Sequence, residues 1–112
     1  MYAIAFDLNT EKLKKHYGFT HYNNAYAEIR KFLAEKGFNH QQGSLYYGDP
    51  TVTQVSAVLA VVELSKKFQY FRPSVEDIRI LRLLDADDLM PAVLSGNPIK
   101  KPVPVVVQEE DN

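Results

Sequence analysis

The chain has 112 residues, a formal net charge of −1, 46% hydrophobic residues and no cysteine. This length predicts one domain with a modest core, of a size that often gains stability as a dimer, and the missing cysteines exclude disulfides and thiolate metal sites. The near-zero charge gives no nucleic-acid signal for the molecule as a whole, and the short apolar runs and lack of a signal-peptide pattern predict a cytoplasmic protein without a membrane span.

The first predicted element is a strand over residues 2–8, with the sequence "YAIAFDL". Its alternation separates bulky from small side chains, with Tyr2, Ile4, Phe6 and Leu8 on one face and Ala3, Ala5 and Asp7 on the other. Because the bulky face needs helices against it, we expect Asp7 to lie on the uncovered face. Residues 9–21 are polar, charged and aromatic by turns, and Gly18 interrupts any helical pattern. They predict a loop, which can include one helical turn around residues 11–15.

A helix is predicted over residues 22–36, where Asn23 can cap the first turn and a glycine follows the last. Two short strands are predicted next, over residues 38–41 and 44–47. The Gln-Gly pair between them suits a hairpin or a bulge.

The following helix is predicted to run to residue 68 and to begin with a capping box formed by Thr51 and Gln54. Its apolar stripe is expected to face the core and consists of Val52, Val55, Leu59 and Val62. Pro73 bars continuation of this helix. A final strand is predicted over residues 77–84.

This order, β-α-β-β-α-β, is typical of a ferredoxin-like α+β fold, with a four-stranded antiparallel-type sheet and two helices on one face. We assign residues 1–95 to this domain, ending with a short extra helix within residues 85–95. Residues 96–112 form a C-terminal extension. Its valines suit an edge strand, and its prolines and acidic end suit a disordered tail equally well.

The predicted topology brings three polar side chains towards one end of the first strand. Asp7 ends that strand, parallel pairing with the third strand would bring Ser44 beside it, and Asp77 opens the last strand. A two-fold axis near the first strand would also join two Asp7 carboxylates, which could share a proton or hold a hard divalent ion. From the pattern alone, ordinary structural roles are favoured: a strand-end acid, a hydroxyl bonded to its own hairpin, and an acid paired with Arg79.

Three lysines, Lys12, Lys14 and Lys15, follow the first strand closely and stand beside a histidine and a tyrosine. Cations and aromatic rings near a carboxylate suit RNA phosphates and unstacked bases. A solvated run of charges is the commoner meaning of such a segment. The histidines of the chain have no metal-type spacing.

Four blocks of the sequence resemble the virulence-associated protein D (VapD) family: "MYAIAFDL", "AYAEIRKFLAEKGF", "QGSLY" and "SVEDIR". They stand in the family's order and spacing over residues 1 to about 84. The resemblance implies a small, usually dimeric, ferredoxin-like endoribonuclease of bacteria, related in fold to the small CRISPR-associated endoribonucleases. It further implies an RNA-cleaving toxin, which in some members is paired with an antitoxin protein.

Carried over residue by residue, the resemblance implies a catalytic set of Asp7, Ser44 and Asp77. It links Leu13 to activity, in the physical role of packing the loop after the first strand over the cleft. With Tyr46 and the three lysines, this residue completes the expected RNA-binding set. Glu76 departs from the family, since relatives commonly have a basic residue there. Its charge lowers the positive potential near the expected cleft.

The leading hypothesis is an endoribonuclease that cuts single-stranded or loop RNA. Asp7 would either deprotonate a ribose 2′-hydroxyl or bind a magnesium-like ion (Mg²⁺) with its symmetry mate, and the sequence leaves both routes open. Ser44 would position the phosphate or sugar, and Asp77 would orient the reacting groups or supply a proton to them. The alternative hypothesis is a non-catalytic ferredoxin-like module that dimerises to bind a protein or a small regulatory ligand.

Overall fold

The computed structural model describes residues 1–84 and 87–96. Strands and helices follow in the order β1 (Tyr2–Leu8), α1 (Thr10–Tyr17), α2 (Asn24–Glu35), β2 (Phe38–Gln42), β3 (Leu45–Gly48), α3 (Gln54–Lys67), α4 (Phe71–Ser74), β4 (Val75–Arg82) and α5 (Met90–Ser95). The strands form a four-stranded antiparallel sheet in the order β2-β3-β1-β4. The predicted ferredoxin-like α+β fold with a C-terminal extension is confirmed. No helix in this part of the chain is long and apolar enough to cross a membrane.

The core lies between one face of the sheet and helices α2 and α3. Ile4 and Phe6 of β1 are 1% and 5% exposed, and they belong to one apolar cluster with Ile29 of α2 and Leu64 of α3. Asp7 is exposed on the opposite face, as the alternation of β1 predicts. Strand β1 therefore separates the core from an open face of the sheet.

The segment predicted as a loop contains an eight-residue helix, α1. Asn9 caps it, because its side-chain Oδ1 accepts a hydrogen bond from the Lys12 amide at 2.9 Å. Glu11 in the first turn and basic residues in the last suit the helix dipole. Gly18 has a φ of 139° and ends the helix instead of interrupting it. Leu13 is fully buried, and this packing stabilises a helix too short to persist alone.

Helix α2 begins two residues later than predicted, and the Asn23 side chain makes no capping hydrogen bond. Its Glu28 links three segments of the chain. The hydroxyls of Tyr17 and Tyr70 donate to the two oxygens of the Glu28 carboxylate at 2.5 and 3.0 Å. The two tyrosine rings also meet edge to face, with centroids 4.9 Å apart. Helix α1 is thereby held against α2 and the segment that precedes α4.

Helix α3 turns a different face to the core from the one predicted. Its capping box consists of Thr53 and Ser56, whereas Thr51 donates its amide to Asp49. The helix buries Ala57, Ala60 and Leu64. Of the predicted stripe, Val52, which precedes the helix, lies in the core, whereas Val55, Leu59 and Val62 are 43–69% exposed. The helix carries apolar side chains on two faces, so spacing alone did not select the inner one. Small alanines let the helix approach the sheet closely.

The C-terminal part of the fold differs from prediction at its boundaries. Strand β4 begins at Val75, two residues early, after a single helical turn that contains Pro73. Proline fits there because the first turn of a helix needs no amide donor. The predicted short helix is observed as α5. The interpretations of residues 97–112 lie outside the described residues, and the division of the chain after residue 95 stays a prediction.

Candidate active site

Two carboxylates face each other at the end of β1. Asp7 and Asp77 are direct partners in the antiparallel pairing of β1 with β4. Direct partners carry their side chains on the same face of the sheet, with Cβ atoms about 4.5–5.5 Å apart. Both residues are exposed, so they form an acidic pair on the open face.

Ser44 comes to the same end of the sheet, but not by the parallel pairing that was predicted. Strands β1 and β3 run antiparallel, and only this direction brings the start of β3 to the end of β1. The Phe6 amide donates a hydrogen bond to the Ser44 carbonyl at 3.2 Å. The structure therefore places Asp7, Ser44 and Asp77 at one end of the sheet, with Ser44 in the turn between β2 and β3.

Arg79 adds a cation to the acidic pair. Its Nε donates to both carboxylate oxygens of Asp77, at 3.2 and 3.1 Å. It is also the direct partner of Ala5, so it lies on the same face as Asp7. The ordinary interpretation of Asp77, an ion pair with Arg79, is observed, and it keeps a guanidinium near Asp7. Sequence reasoning missed Arg79 as a candidate, although its position two residues after Asp77 on a strand already puts both on one face.

A β-bulge lies next to the two acids. The register between β1 and β4 shifts between Asp7 and Leu8, which leaves Glu76 as the extra residue on β4. The Glu76 carboxylate accepts a hydrogen bond from Asn9 Nδ2 at 2.9 Å. Because Asn9 caps α1, Glu76 fixes the point where this helix leaves the sheet.

Helix α1 carries the three predicted lysines directly after β1. Lys12 and Lys15 are exposed and, three residues apart, lie on one side of the helix. Lys14 is already engaged, with its Nζ 3.4 Å from Glu11 Oε2 and 5.3 Å from the centroid of the Tyr22 ring. Of this set, Lys12 and Lys15 are the lysines best able to meet a phosphate.

Two residues of the predicted RNA-binding set lie in the core. Leu13 is 0% exposed and Tyr46 is 3% exposed. The Tyr46 ring stacks on Phe6 with centroids 5.9 Å apart, and burial raises the pKa of its hydroxyl. Neither side chain is exposed to contact RNA directly, and the burial of Leu13 agrees with the packing role expected for it. Tyr47, half-buried and paired with Ala3, is the tyrosine of β3 on the open face.

The chain is similar to known proteins along most of its length, although no family model matches it. It is 42% identical over 93 residues to Endoribonuclease VapD 2 of Riemerella anatipestifer, and the aligned region covers 83% of this chain and 99% of that protein. It is 41% identical over 93 residues to Endoribonuclease VapD homolog of Helicobacter pylori, covering 83% and 96%. With Endoribonuclease VapD of Dichelobacter nodosus it shares 42% identity over 96 residues, covering 86% and 99%. The chain belongs to the VapD family.

The donor set of this VapD site does not suit a resident magnesium ion. Mg²⁺ requires near-octahedral oxygen coordination, usually from one or two carboxylates completed by water and substrate phosphates. Both oxygens of Asp77 accept hydrogen bonds from Arg79, and the described residues contain no group of three His, Asp or Glu side chains placed to hold an ion. Asp7 is left as a single carboxylate donor. A shared ion between two copies of Asp7 stays a prediction.

Proposed function

We propose that this VapD-family chain is an endoribonuclease that cleaves single-stranded or loop RNA on the open face of its sheet. The observation that carries the proposal is the exposed pair of Asp7 and Asp77 with Arg79 beside it. This arrangement combines an acceptor for a proton with a cation for a phosphate. The names of the three relatives, all endoribonucleases, support the same activity here.

Asp7 is the proposed general base, in a route that needs no metal ion. It takes the proton of a ribose 2′-hydroxyl, and the 2′-oxygen attacks the adjacent phosphorus. The bond from phosphorus to the 5′-oxygen breaks, and the leaving oxygen takes a proton from water. One product then ends in a 2′,3′-cyclic phosphate and the other begins with a 5′-hydroxyl.

Arg79 and Ser44 are proposed to hold the reacting phosphate. The guanidinium lies where it can stabilise the charge that grows on the non-bridging oxygens. Asp77, bonded to this guanidinium through both oxygens, orients it and so acts as a positioning residue. The Ser44 hydroxyl contacts the phosphate or the sugar.

Lys12 and Lys15 are proposed to bind the RNA backbone next to the reacting phosphate, and Tyr47 to stack a base. The Glu76 charge and the net charge of −1 keep the overall attraction weak. Binding therefore rests on a few local contacts, and its fall with added salt is expected to be modest, because the salt dependence scales with the number of phosphates that are neutralised. We further propose that the protein is a cytoplasmic homodimer that acts as a toxin controlled by an antitoxin protein.

Cleavage of a labelled RNA tests this proposal. Wild type is expected to cut in the presence of EDTA, and Asp7→Asn to lose at least 100-fold in rate, within the range that general-base catalysis supplies. Asp87→Asn is the matched control, since Asp87 is exposed and follows the far end of β4. If wild type and Asp7→Asn leave the same background cleavage, the nuclease proposal fails and the non-catalytic binding module takes its place. Cleavage that requires a divalent ion would instead support the route through a shared metal.

A further inference from the structure

The turn that carries Ser44 is tied down by the ring of His40. His40 Nε2 lies 2.7 Å from the carbonyl oxygen of Gly43, and Nδ1 lies 2.5 Å from Nη2 of Arg30 on helix α2. The ring also packs edge to face on Tyr46, with centroids 5.2 Å apart. His40 thus connects a helix, the hairpin turn and the core.

These two contacts assign the tautomer of the ring. A carbonyl oxygen only accepts, so Nε2 carries the hydrogen and donates to Gly43. A guanidinium only donates, so Nδ1 is the acceptor for Arg30. The neutral ring with hydrogen on Nε2 satisfies both contacts, and a ring protonated on both nitrogens cannot accept from Arg30.

The turn itself needs such an anchor. Gly43 has a φ of 50°, and the register between β2 and β3 shifts between His40 and Gln42. Regular pairing is therefore interrupted just before Ser44. On the other side, the Ser44 carbonyl accepts the Phe6 amide at 3.2 Å. The turn is held from β1 by one backbone hydrogen bond and from α2 by the His40 ring.

His40 does not lie on the face that carries the acids. It is the direct partner of Tyr46, which pairs in turn with Ile4 on the core side of the sheet. Asp7 lies on the opposite face. The imidazole is therefore separated from the reacting atoms by the sheet, and any effect on catalysis must pass through the Gly43 carbonyl and the backbone of Ser44.

We infer that His40, oriented by Arg30, is a positioning residue that sets the backbone of Gly43 and Ser44 beside Asp7. This inference rests on the proposed function, because Ser44 is the group that it positions. It adds two residues to the machinery of the site that lie outside the open face.

Kinetics of three variants test the inference. His40→Phe keeps the ring contact with Tyr46 and removes both hydrogen bonds, so kcat is expected to fall about tenfold with KM changed less than twofold. His40→Gln can again donate to the Gly43 carbonyl and is expected to recover most of kcat. His21→Phe is the matched control, since His21 is exposed and its ring makes no hydrogen bond among the described residues. Equal loss in His40→Phe and His40→Gln, or none in His40→Phe, contradicts the inference.

A second readout does not depend on cleavage. NMR relaxation of the full chain measures the order parameters of the Gly43 and Ser44 amides. They are expected to fall below about 0.6 in His40→Phe and in Arg30→Met, and to stay at about 0.85 in wild type and His21→Phe. Unchanged order parameters in both variants overturn the inference. If wild type does not cleave RNA but the turn loosens as expected, the proposed function fails while the anchoring by His40 stands.

Discussion

Asp7 and Asp77 place two like charges directly opposite each other across a pair of strands. Such pairs are unfavourable by up to about 1 kcal/mol when exposed, less in salt. The bond from Arg79 to Asp77 offsets part of this repulsion. An unfavourable repulsion between two side chains at one end of a sheet is expected where the chemistry needs both groups.

Asp7→Asn should therefore stabilise the fold while it lowers the rate of cleavage at least 100-fold. Removing one of the two charges relieves the repulsion, so the free energy of unfolding is expected to rise by about 0.2–0.5 kcal/mol. Urea unfolding at low ionic strength measures this difference, with Asp87→Asn as the control. A loss of stability in Asp7→Asn would indicate that Asp7 supports the fold, and its loss of activity could then be structural.

The face on which a residue lies was predictable where it depends only on the alternation of side chains along one strand. The two-residue period of a strand put Asp7 opposite the bulky residues of β1, and the structure agrees. The same period puts Tyr46 and Tyr47 on opposite faces, but only the pairing with β1 shows that Tyr46 lies on the core side and Tyr47 on the open face. The spacing along β4 already allowed Arg79 to pair with Asp77, but the opposition of Asp77 to Asp7 depends on the register between two strands, which no local pattern specifies.

At the scale of elements, α1 is the part of the fold that joins the acids to the lysines. It leaves the sheet at Asn9, which uses both ends of its amide: Oδ1 caps the helix and Nδ2 donates to Glu76. On the inner side of the helix, the Leu13 side chain is buried in the core. Asn9 thus fixes the start of α1, next to Lys12 and Lys15, while Leu13 and Tyr17 hold the rest of the helix.

Asn9→Ala is expected to lower the free energy of unfolding by about 1 kcal/mol, because it removes the cap and the bond to Glu76. Cleavage should fall with it, since α1 then frays next to Asp7. Asn9→Ser restores a capping oxygen and should recover most of the stability. Thermal unfolding of the two variants decides the point, and equal loss in both would mean that the cap does not hold α1.

The contacts of Glu28 predict a loss of stability at alkaline pH. Burial, and then the hydrogen bond to Glu28, raises the pKa of Tyr70 above its ordinary value of 10.0. Unfolded Tyr70 therefore loses its proton at a lower pH than folded Tyr70, so its contribution is full below pH 10 and is lost as the pH rises above that value. Tyr70→Phe should be about 1 kcal/mol less stable at neutral pH and show a weaker decline above pH 10. Tyr2→Phe is the control, and an unchanged alkaline decline in Tyr70→Phe contradicts the assignment.

Two elements show where pattern reasoning stops. Helix α1 was missed because its residues are mostly polar and it buries chiefly Leu13, so no apolar stripe is visible. In α3 the apolar stripe that the spacing indicates lies on the exposed side of the helix. Val58 and Leu59 on that side are 52% and 54% exposed. In both, tertiary packing decides what the local sequence leaves open.

For the whole molecule, the order of elements was enough to predict the sheet, because few topologies are compatible with β-α-β-β-α-β and short connections. It did not predict what covers the exposed side of α3. There Val58 and Val62 border an apolar groove whose other wall is Ile78 and Ile80 of β4. Strand β4 is also an edge of the described sheet.

We expect a second copy of the chain to cover this groove, since apolar surface beside a free strand edge favours pairing. Light scattering should then give the mass of a dimer, and substituting Val58→Lys together with Val62→Lys should shift it to that of a monomer. Val93→Lys, on the 64% exposed side chain of α5, is the control. A monomeric wild type at all concentrations contradicts the expectation.

In the proposed mechanism, Asp7 activates a ribose 2′-hydroxyl on the open face. This activation is tested most directly with two oligonucleotides of one sequence, an RNA and the same RNA with a single 2′-deoxynucleotide at the cleaved position, in the presence of EDTA. Wild type is predicted to cut the RNA to a 2′,3′-cyclic phosphate end and to leave the deoxy-substituted strand intact at that position. Asp7→Asn is predicted to cut the RNA at least 100-fold more slowly. Equal cleavage of both oligonucleotides by the wild type would show that the 2′-hydroxyl is not the nucleophile.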